Sequence, residues 1–353
     1  MDNVKGFLKA ALDKAAPLKT FDVVALSAIC VDQRIECADE HLEAHGVAKG
    51  LSNPTTAGTV AKLAAGQSPA TYPGSPGVNV VAGVALRGGK AALIGRIGDD
   101  DHGNFIATRM KSHGVDYTPT LSSTSTTVVL AMITPDRERT FAFAPGAGGE
   151  LAPADVDDKL LKRAKITYLD SYLWLSPTGK EAVHHAAHIA KQSGGKVAVS
   201  LNDAKLVENN QKEFHALVTS HADILVGDLR EFSALFKTST TEETLDAMCA
   251  TGLTGAMTMG AKGAFVFKNG ACTLVPAQKI DKALIVDTNG AGDQFAAGFL
   301  YGLAKGLTAL ESAEQGSKWA SDVIQHHGAE PRVGKNAPKT SSSGPASPQT
   351  PVP

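Results

Sequence analysis

Neither sign of charge is in surplus in this chain. Its 353 residues carry 34 basic against 36 acidic side chains, a net charge of −2. No surface for a polyanion is advertised, and no nucleic-acid partner is expected. Long apolar runs are also lacking. None approaches the roughly 20 residues that span a bilayer, so no membrane partner is expected. Residues 1–20 mix Lys, Asp and Ala and lack the apolar stretch of a secretory signal. Asp2 and Asp13 argue against a transit peptide, while Lys5, Lys9 and Lys14 with Leu8, Ala11 and Leu12 suggest a short amphipathic helix. Cysteine is sparse. Cys30, Cys37, Cys249 and Cys272 share no CxxC spacing, so neither a metal site nor a disulfide is expected. A reduced cytoplasmic protein is the default. Aromatic residues are few, at 5%, and no internal repeat is evident.

What is present is a hydrophobic content of 43%, enough for a sizeable core in one large α/β domain or two modest ones. Residues 21–26 are β-prone and fit the first strand of a buried sheet. Asp32 follows at the strand's carboxyl end, the edge where open α/β sheets place ligands. It also reads as a solvated loop acid. Residues 39–70 are ambiguous, with Leu42, Val47, Leu51, Val60 and Leu63 spread among small and polar residues. Residues 72–79 form a tight turn leading into a small-residue helix at 80–86. Gly74, Ser75 and Gly77 permit close approach there. Asn79 brings a donor and an acceptor, suited to a sugar hydroxyl or to a helix cap. A buried strand is expected at 91–94, then a helix ending near Gly114. Strands at 126–134 and 139–143 flank the turn pair Pro135-Asp136. That hairpin is a candidate lid over the ligand edge. Arg139 on it can reach a phosphate, or be an exposed strand arginine.

From residue 153 the pattern is regular. Helices at 153–163, 178–193 and 211–219 alternate with strands at 166–170, 196–200 and 223–227, which argues for a parallel sheet with right-handed crossovers. His184, His185 and His188 fall on the face opposite the stripe Val183, Ala186, Ala187 and Ala190, so a solvated face is expected rather than a metal pair. Asp228 and Glu231 open the next helix, three residues apart on one face. They suit a pair of acids that orient water around Mg²⁺, or an N-cap and a surface acid. A strand ends at Thr258, and Met259, Gly260 and Gly263 belong to a Gly-rich connection to strand 264–268. Asn269-Gly270 is a hairpin turn before strand 272–275. A last helix covers 310–327. From about residue 331 the chain is rich in Pro and Ser, and disorder is expected.

The stretch from 286 to 302 carries the most chemistry. It reads as a strand end, a small-residue turn and a helix. Gly290, Ala291 and Gly292 let a ligand approach the backbone closely. Their N–H groups open a helix, whose N-terminus favours negative charge. Asp293 stands in that first turn. Phe295, Ala296, Phe299, Leu300 and Leu303 repeat at helical spacing and anchor the helix in the core. The arrangement suits an anion hole for a transferring phosphate with a carboxylate base beside it. It also suits a loop whose Asp only stabilises the helix start.

The run Asp287-Thr288-Asn289-Gly290-Ala291-Gly292-Asp293, followed by a small apolar helix, resembles the C-terminal signature of the ribokinase-like (PfkB) carbohydrate and nucleoside kinases. The likeness extends over residues 20–332. It includes the first strand with its Asp, the turn ending in Asn79, the Gly88–Gly103 run, the Gly227–Glu231 turn and the Thr258–Gly263 turn. The Tyr168–Trp174 and Ala320–Ala329 runs look most like the bacterial adenosine-kinase-like branch. The resemblance implies a three-layer α/β/α domain over 21–330 with a mainly parallel central sheet. A small β lid would come from about 33–60 and 116–145, flanked by an N-terminal extension (1–20) and a tail (331–353).

It also implies transfer of the ATP γ-phosphate to a primary hydroxyl. Asp293 would take the hydroxyl proton, and Gly290, Ala291 and Gly292 would hold the charge on the phosphate. Arg139 would be a lid cation. Asp32, Gly74, Ser75 and Asn79 would grip the acceptor. Thr258, Gly260, Gly263 and Asp228 would border the nucleotide, and Glu231 would place Mg²⁺ through water. Asp287 and Thr288 lie where relatives can hold a monovalent cation such as K⁺. A small nucleoside or sugar is the implied partner, with a monomer or a lid-mediated homodimer as the assembly.

Four positions in three motifs depart from the family pattern. Ser27-Ala28 replaces a Gly-Asn pair, Ser75 replaces the second Gly of the substrate turn, and Asp228 replaces an Asn. A ribonucleoside, adenosine first, is the leading acceptor. A free sugar or sugar acid is the alternative, and a non-catalytic nucleotide-binding relative is a third reading. An Asp at a helix N-terminus is expected to stay ionised with a low pKa.

Overall fold

The structure is a computed structural model and describes residues 18–332. In chain order its strands begin with β1 (Phe21–Leu26), β2 (Cys30–Glu36), β3 (Ser52–Pro54), β4 (Ala70–Gly74) and β5 (Ala91–Ile94). Next come β6 (Arg96–Gly98), β7 (Thr120–Ser122), β8 (Thr127–Ile133), β9 (Arg139–Ala144) and β10 (Ala164–Asp170). The last are β11 (Lys196–Ser200), β12 (Ile224–Asp228), β13 (Thr254–Thr258), β14 (Ala264–Lys268) and β15 (Ala271–Val275).

Eight of them form the main sheet, in the order β15-β14-β13-β12-β11-β10-β1-β5. From β5 to β13 the neighbours are parallel, and β14 and β15 return antiparallel. All six residues of β1 are buried, as a parallel strand covered on both faces requires. Val24 and Leu26 face a core shared with Ala182, Val183, Ala186 and Ala190 of the Pro177–Gln192 helix. Val23 and Ala25 face the opposite core, filled by Val80, Val81 and Val84 of the Pro76–Leu86 helix and by Phe295, Phe299 and Leu300 of the Ala291–Ala304 helix. Sheet and two helical layers therefore make the three-layer α/β/α arrangement.

A second sheet, ordered β3-β9-β8-β2-β4, stands beside the main sheet's carboxyl edge. One face packs Ile35, Leu130 and Met132 against Leu42, Val60 and Leu63, from the helices Asp39–Ala44 and Ala57–Ala64. The ambiguous stretch 39–70 thus becomes the cover of a small sheet. That sheet also recruits Ala70–Gly74, which the sequence reading placed partly in a turn.

Four expectations need correction. No strand precedes the signature. Leu284, Ile285 and Val286 are 53%, 41% and 48% exposed, and the N–H groups of Val286 and Asp287 donate to Ile324 O rather than to a sheet. The helix expected at 153–163 is a short turn, Pro153–Asp155, and a helix, Asp158–Lys162. Asp157 divides them by accepting from the N–H groups of Lys159 and Leu160. The helix expected from residue 80 starts at Pro76, whose fixed φ suits a first helical position. Cys249 and Cys272 form a disulfide with their Cα atoms 6.3 Å apart. The β13–β15 meander carries Cys272 back beside the Thr241–Ala250 helix, a proximity that cysteine spacing does not reveal. Cys30 and Cys37 are free.

His184 and His188 are exposed and His185 half-buried, as the stripe pattern implied. Among the described residues no helix is long and apolar enough to cross a membrane. The amphipathic helix expected within residues 1–17 and the Pro/Ser-rich tail from 333 lie outside the described residues.

Candidate active site

Gly290 precedes the Ala291–Ala304 helix with φ 75 and ψ 0, a left-handed conformation that glycine adopts without penalty. A Cβ there would also collide with Ala329. Gly292 is exposed, and a Cβ on it would meet nothing within 4 Å. Gly292 and Asp293 lie in the helix's first turn, where N–H groups have no carbonyl one turn back. Their donors are therefore left for a ligand.

Asp293 stands half-buried in that turn. Asn79 Nδ2 donates to its Oδ2 at 2.8 Å, so the acceptor turn and the signature helix meet here. Asn79 is 4% exposed, and its Oδ1 has no partner among the described residues. Burial pushes the Asp293 carboxyl up to about 6; the Asn79 hydrogen bond opposes this and the negative charge of Asp170 adds to it. Asp32 is also raised to about 6, by burial and by Asp293, against a hydrogen bond from Cys30. The low pKa expected from the helix N-terminus is therefore incorrect. Desolvation and the neighbouring Asp170 carboxylate outweigh a helix dipole that acts only within the first turn. Gly74 packs directly on Asp32, and a Cβ at Gly74 would lie 2.6 Å from its Cγ. Ser75 points away from the cleft, its hydroxyl donating to the buried Asp170 at 2.7 Å.

Next to Asp32 lies a cavity of about 210 Å³ between the small sheet and the signature loop. Arg34, Arg137 and Arg139 line it with His327, against the acids Asp32 and Asp287. Tyr72 and Phe141 supply its flat apolar surfaces. Arg139 Nη2 donates to Asp287 Oδ1 at 3.2 Å, and Asn289 N donates to the same oxygen at 3.0 Å. The small sheet is thus tied to the signature loop. Thr288 beside Asp287 is exposed.

The nucleotide-side residues gather farther along the same sheet edge. Asp228 and Thr258 are register partners at the carboxyl ends of β12 and β13. Asp228 Oδ1 accepts from Glu231 N at 2.9 Å, and Glu231 Oε2 accepts from Asp228 N at 2.8 Å. This is a capping box, so the capping alternative describes Asp228. Glu231 is 8% exposed rather than a surface acid. Burial, with Asp228 nearby, raises it to about 8. Thr258 Oγ1 donates to Gly227 O at 3.4 Å. Gly260 and Gly263 have φ 57 and 101, and a Cβ on Gly263 would strike Val275 O. Among the described residues no group of three or more His, Cys, Asp or Glu gathers to hold a metal ion. Asp228 and Glu231 are the carboxylates at this edge, and Mg²⁺ binds through one or two carboxylates plus substrate phosphates.

Two residues escaped the sequence reading. Gln294 is fully buried, and its Nε2 donates to Asn79 O at 2.9 Å and Ala329 O at 3.0 Å. It joins the two halves of the site. A polar residue inside an apolar helical stripe was the available signal. Glu330 accepts from Arg109 Nε and Nη2 at 2.9 and 2.7 Å and lies 2.8 Å from His113 Nε2. It pins the segment that places Ala329 against Gly290, and nothing in its local sequence marks it.

The model of the pfkB family carbohydrate kinases matches residues 50–334. The 5-dehydro-2-deoxygluconokinase of Bacillus velezensis is 27% identical over 321 residues, covering 88% of this chain and 90% of that protein. The adenosine kinase of Sinorhizobium meliloti is 32% identical with a TM-score of 0.81, covering 89% of this chain and 97% of the other. A probable sugar kinase protein from Rhizobium etli is 33% identical with a TM-score of 0.82, covering 90% and 96%. A match over most of the chain, on a ribokinase-like fold with the signature at the sheet's ligand edge, places this protein in the pfkB family of carbohydrate kinases.

Proposed function

We propose that this chain transfers the γ-phosphoryl group of ATP to the primary hydroxyl of a small sugar acid. The observation that carries the acceptor class is the charge of the cavity beside Asp32. Arg139 would serve the transferring phosphate, which leaves Arg137, joined by Arg34 and His327 on turning from Glu36 and Asp287, for a second anionic group. Arginine is the side chain suited to a carboxylate. The 27% relationship to a 5-dehydro-2-deoxygluconokinase supports the same class.

In this reading the acceptor oxygen attacks the γ-phosphorus as the bond to the β-phosphate oxygen breaks. Asp293 receives the hydroxyl proton, and ADP departs. The N–H groups at Gly290 and Gly292 would stabilise charge on the equatorial oxygens, with that of Ala291 joining on release from Thr288 O, in line with phosphoryl transfer being mostly positioning and electrostatics. Asp32, Gly74 and Asn79 would hold the acceptor hydroxyls. Thr258, Gly260, Gly263 and Asp228 would border the nucleotide. Glu231 would contact Mg²⁺ through water; the ion supplies charge neutralisation on the phosphates when bound. The helices filling the outer face of the small sheet support a monomer over a lid-mediated dimer.

A ribonucleoside is the second reading, favoured by Tyr72 and Phe141 in the same cavity and by the 32% identity to an adenosine kinase. An ADP-release assay with adenosine, ribose, fructose and ketodeoxygluconate separates the two. Turnover on the acid, lost when Arg34 and Arg137 are replaced by Ala, supports the proposal. Turnover on adenosine alone overturns the acid, and phosphorylation of nothing in the panel overturns both.

A further inference from the structure

Two of the positions that break the family pattern, Ser27 and Ser75, touch in space. Their hydroxyl oxygens are in direct contact, and each spends its one proton on Asp170 Oδ2, at 2.6 Å from Ser27 and 2.7 Å from Ser75. Asp170 Oδ1 accepts from Tyr172 N at 2.9 Å. Asp170 is 1% exposed, and among the described residues no cation pairs with it. A buried carboxylate is costly unless hydrogen bonds satisfy it, and here they come from the exit of β1, the turn before the Pro76–Leu86 helix and the chain after β10. Ser75 has φ 96 and ψ 140, a conformation that residues with a Cβ rarely adopt. Such backbone persists only where the surroundings over-determine it.

We infer that Asp170 is a positioning residue for the acceptor: by tethering the Ser75 hydroxyl it holds a glycine-like backbone in place and fixes the turn that presents Gly74 to Asp32 and Asn79 to Asp293. Asp170 does not itself meet the acceptor, because it is enclosed and both its oxygens are engaged. Ser75 acts through its backbone, since its hydroxyl is spent on the tether. The inference rests on the reading that the acceptor binds at this turn.

The test compares Ser75→Ala with Ser75→Gly. Alanine loses the tether and keeps the strain, whereas glycine loses the tether and needs none. The Ser75→Ala variant is expected to raise the acceptor KM about tenfold, the size of effect such strain carries, with the KM for ATP unchanged. Ser75→Gly stays within about twofold of the parent. Asp170→Ala reproduces the alanine effect, and adding Ser75→Gly to it restores most of the loss. Melting temperature gives a readout free of turnover: Ser75→Ala melts below Ser75→Gly. Equal acceptor KM and equal melting for the two Ser75 variants would overturn the inference, pointing to a hydroxyl that contacts the acceptor directly. If the parent protein phosphorylates no acceptor, the proposed function fails, and the melting order alone still decides the tether.

Discussion

The acceptor end and the nucleotide end of this site lie on one sheet edge and are built differently. At the nucleotide end, Asp228 and Glu231 close a capping box on each other's backbone, and Gly260 and Gly263 turn the chain with left-handed φ values. Local sequence suffices for all of this. At the acceptor end, Asp32, Asp170 and Asp293 converge from β2, β10 and the signature helix; burial with the charge of Asp170 raises Asp293, and burial with that of Asp293 raises Asp32. Ser75 holds a glycine-like backbone there only through a partner 95 residues away. The contrast teaches that the proposed nucleotide end rests on backbone shape, whereas the proposed reacting end gathers charge that costs stability.

The largest expected effect is at Asp293. Asp293→Asn keeps a hydrogen-bond acceptor for Asn79 but cannot take the proton, so kcat should fall by about 10²–10⁴ with ATP affinity unchanged. The same variant tests the stability cost. The folded pKa, raised to about 6, lies above the usual Asp value of about 3.9. The stabilising contribution of the protonated form is therefore complete below about pH 4 and lost as pH rises through 6. Asp293→Asn should melt at the parent's temperature at pH 4 and above it at pH 8. Equal melting at both pH values would remove the claim that gathered charge strains this end.

Gly290→Ala should come next. It forces a side chain into left-handed backbone and against Ala329, so kcat should drop by about 10²-fold as the N–H groups shift. A variant with full turnover would show that the helix N-terminus does not hold the phosphate. The mildest effect belongs to the nucleotide end. Glu231→Gln preserves the cap to Asp228 N but cannot ionise when Mg²⁺ arrives, and should raise the Mg²⁺ concentration for half-maximal rate about tenfold. The acceptor KM should not move. A change in the acceptor KM instead would erase the division between the two ends.

Much of the fold was legible because burial repeats locally. Residues 21–26 and 264–268 are strands with those bounds, and Asn269 and Gly270 have the positive φ values, 52 and 80, that an Asn-Gly hairpin needs. The stretch 39–70 was not legible because Leu42, Val60 and Leu63 make sense only against β2 and β8. Exposed Ile285 and Val286 look like strand residues but find no sheet. Within the site, Gly290 and Asp293 announce themselves through a turn and a helix start. Gln294 and Asp170 do not, since Gln294 reaches Asn79 across 215 residues and Asp170 reaches Ser27 across 143. The pKa of Asp293 was misread for the same reason. The helix dipole is visible in one segment, while the burial and the Asp170 carboxylate that oppose it come from the packing of others.

In the proposed mechanism a carboxylate lifted toward neutrality by its surroundings accepts the hydroxyl proton. The pH dependence of kcat/KM for the acceptor, in the parent and in Asp293→Asn, tests this. An acid limb near pH 6 is expected in the parent, with the rate rising as the Asp32–Asp293 cluster loses its proton, and a residual rate in the variant that no longer follows that limb. A parent limb near pH 4, or the same limb in both proteins, would contradict it.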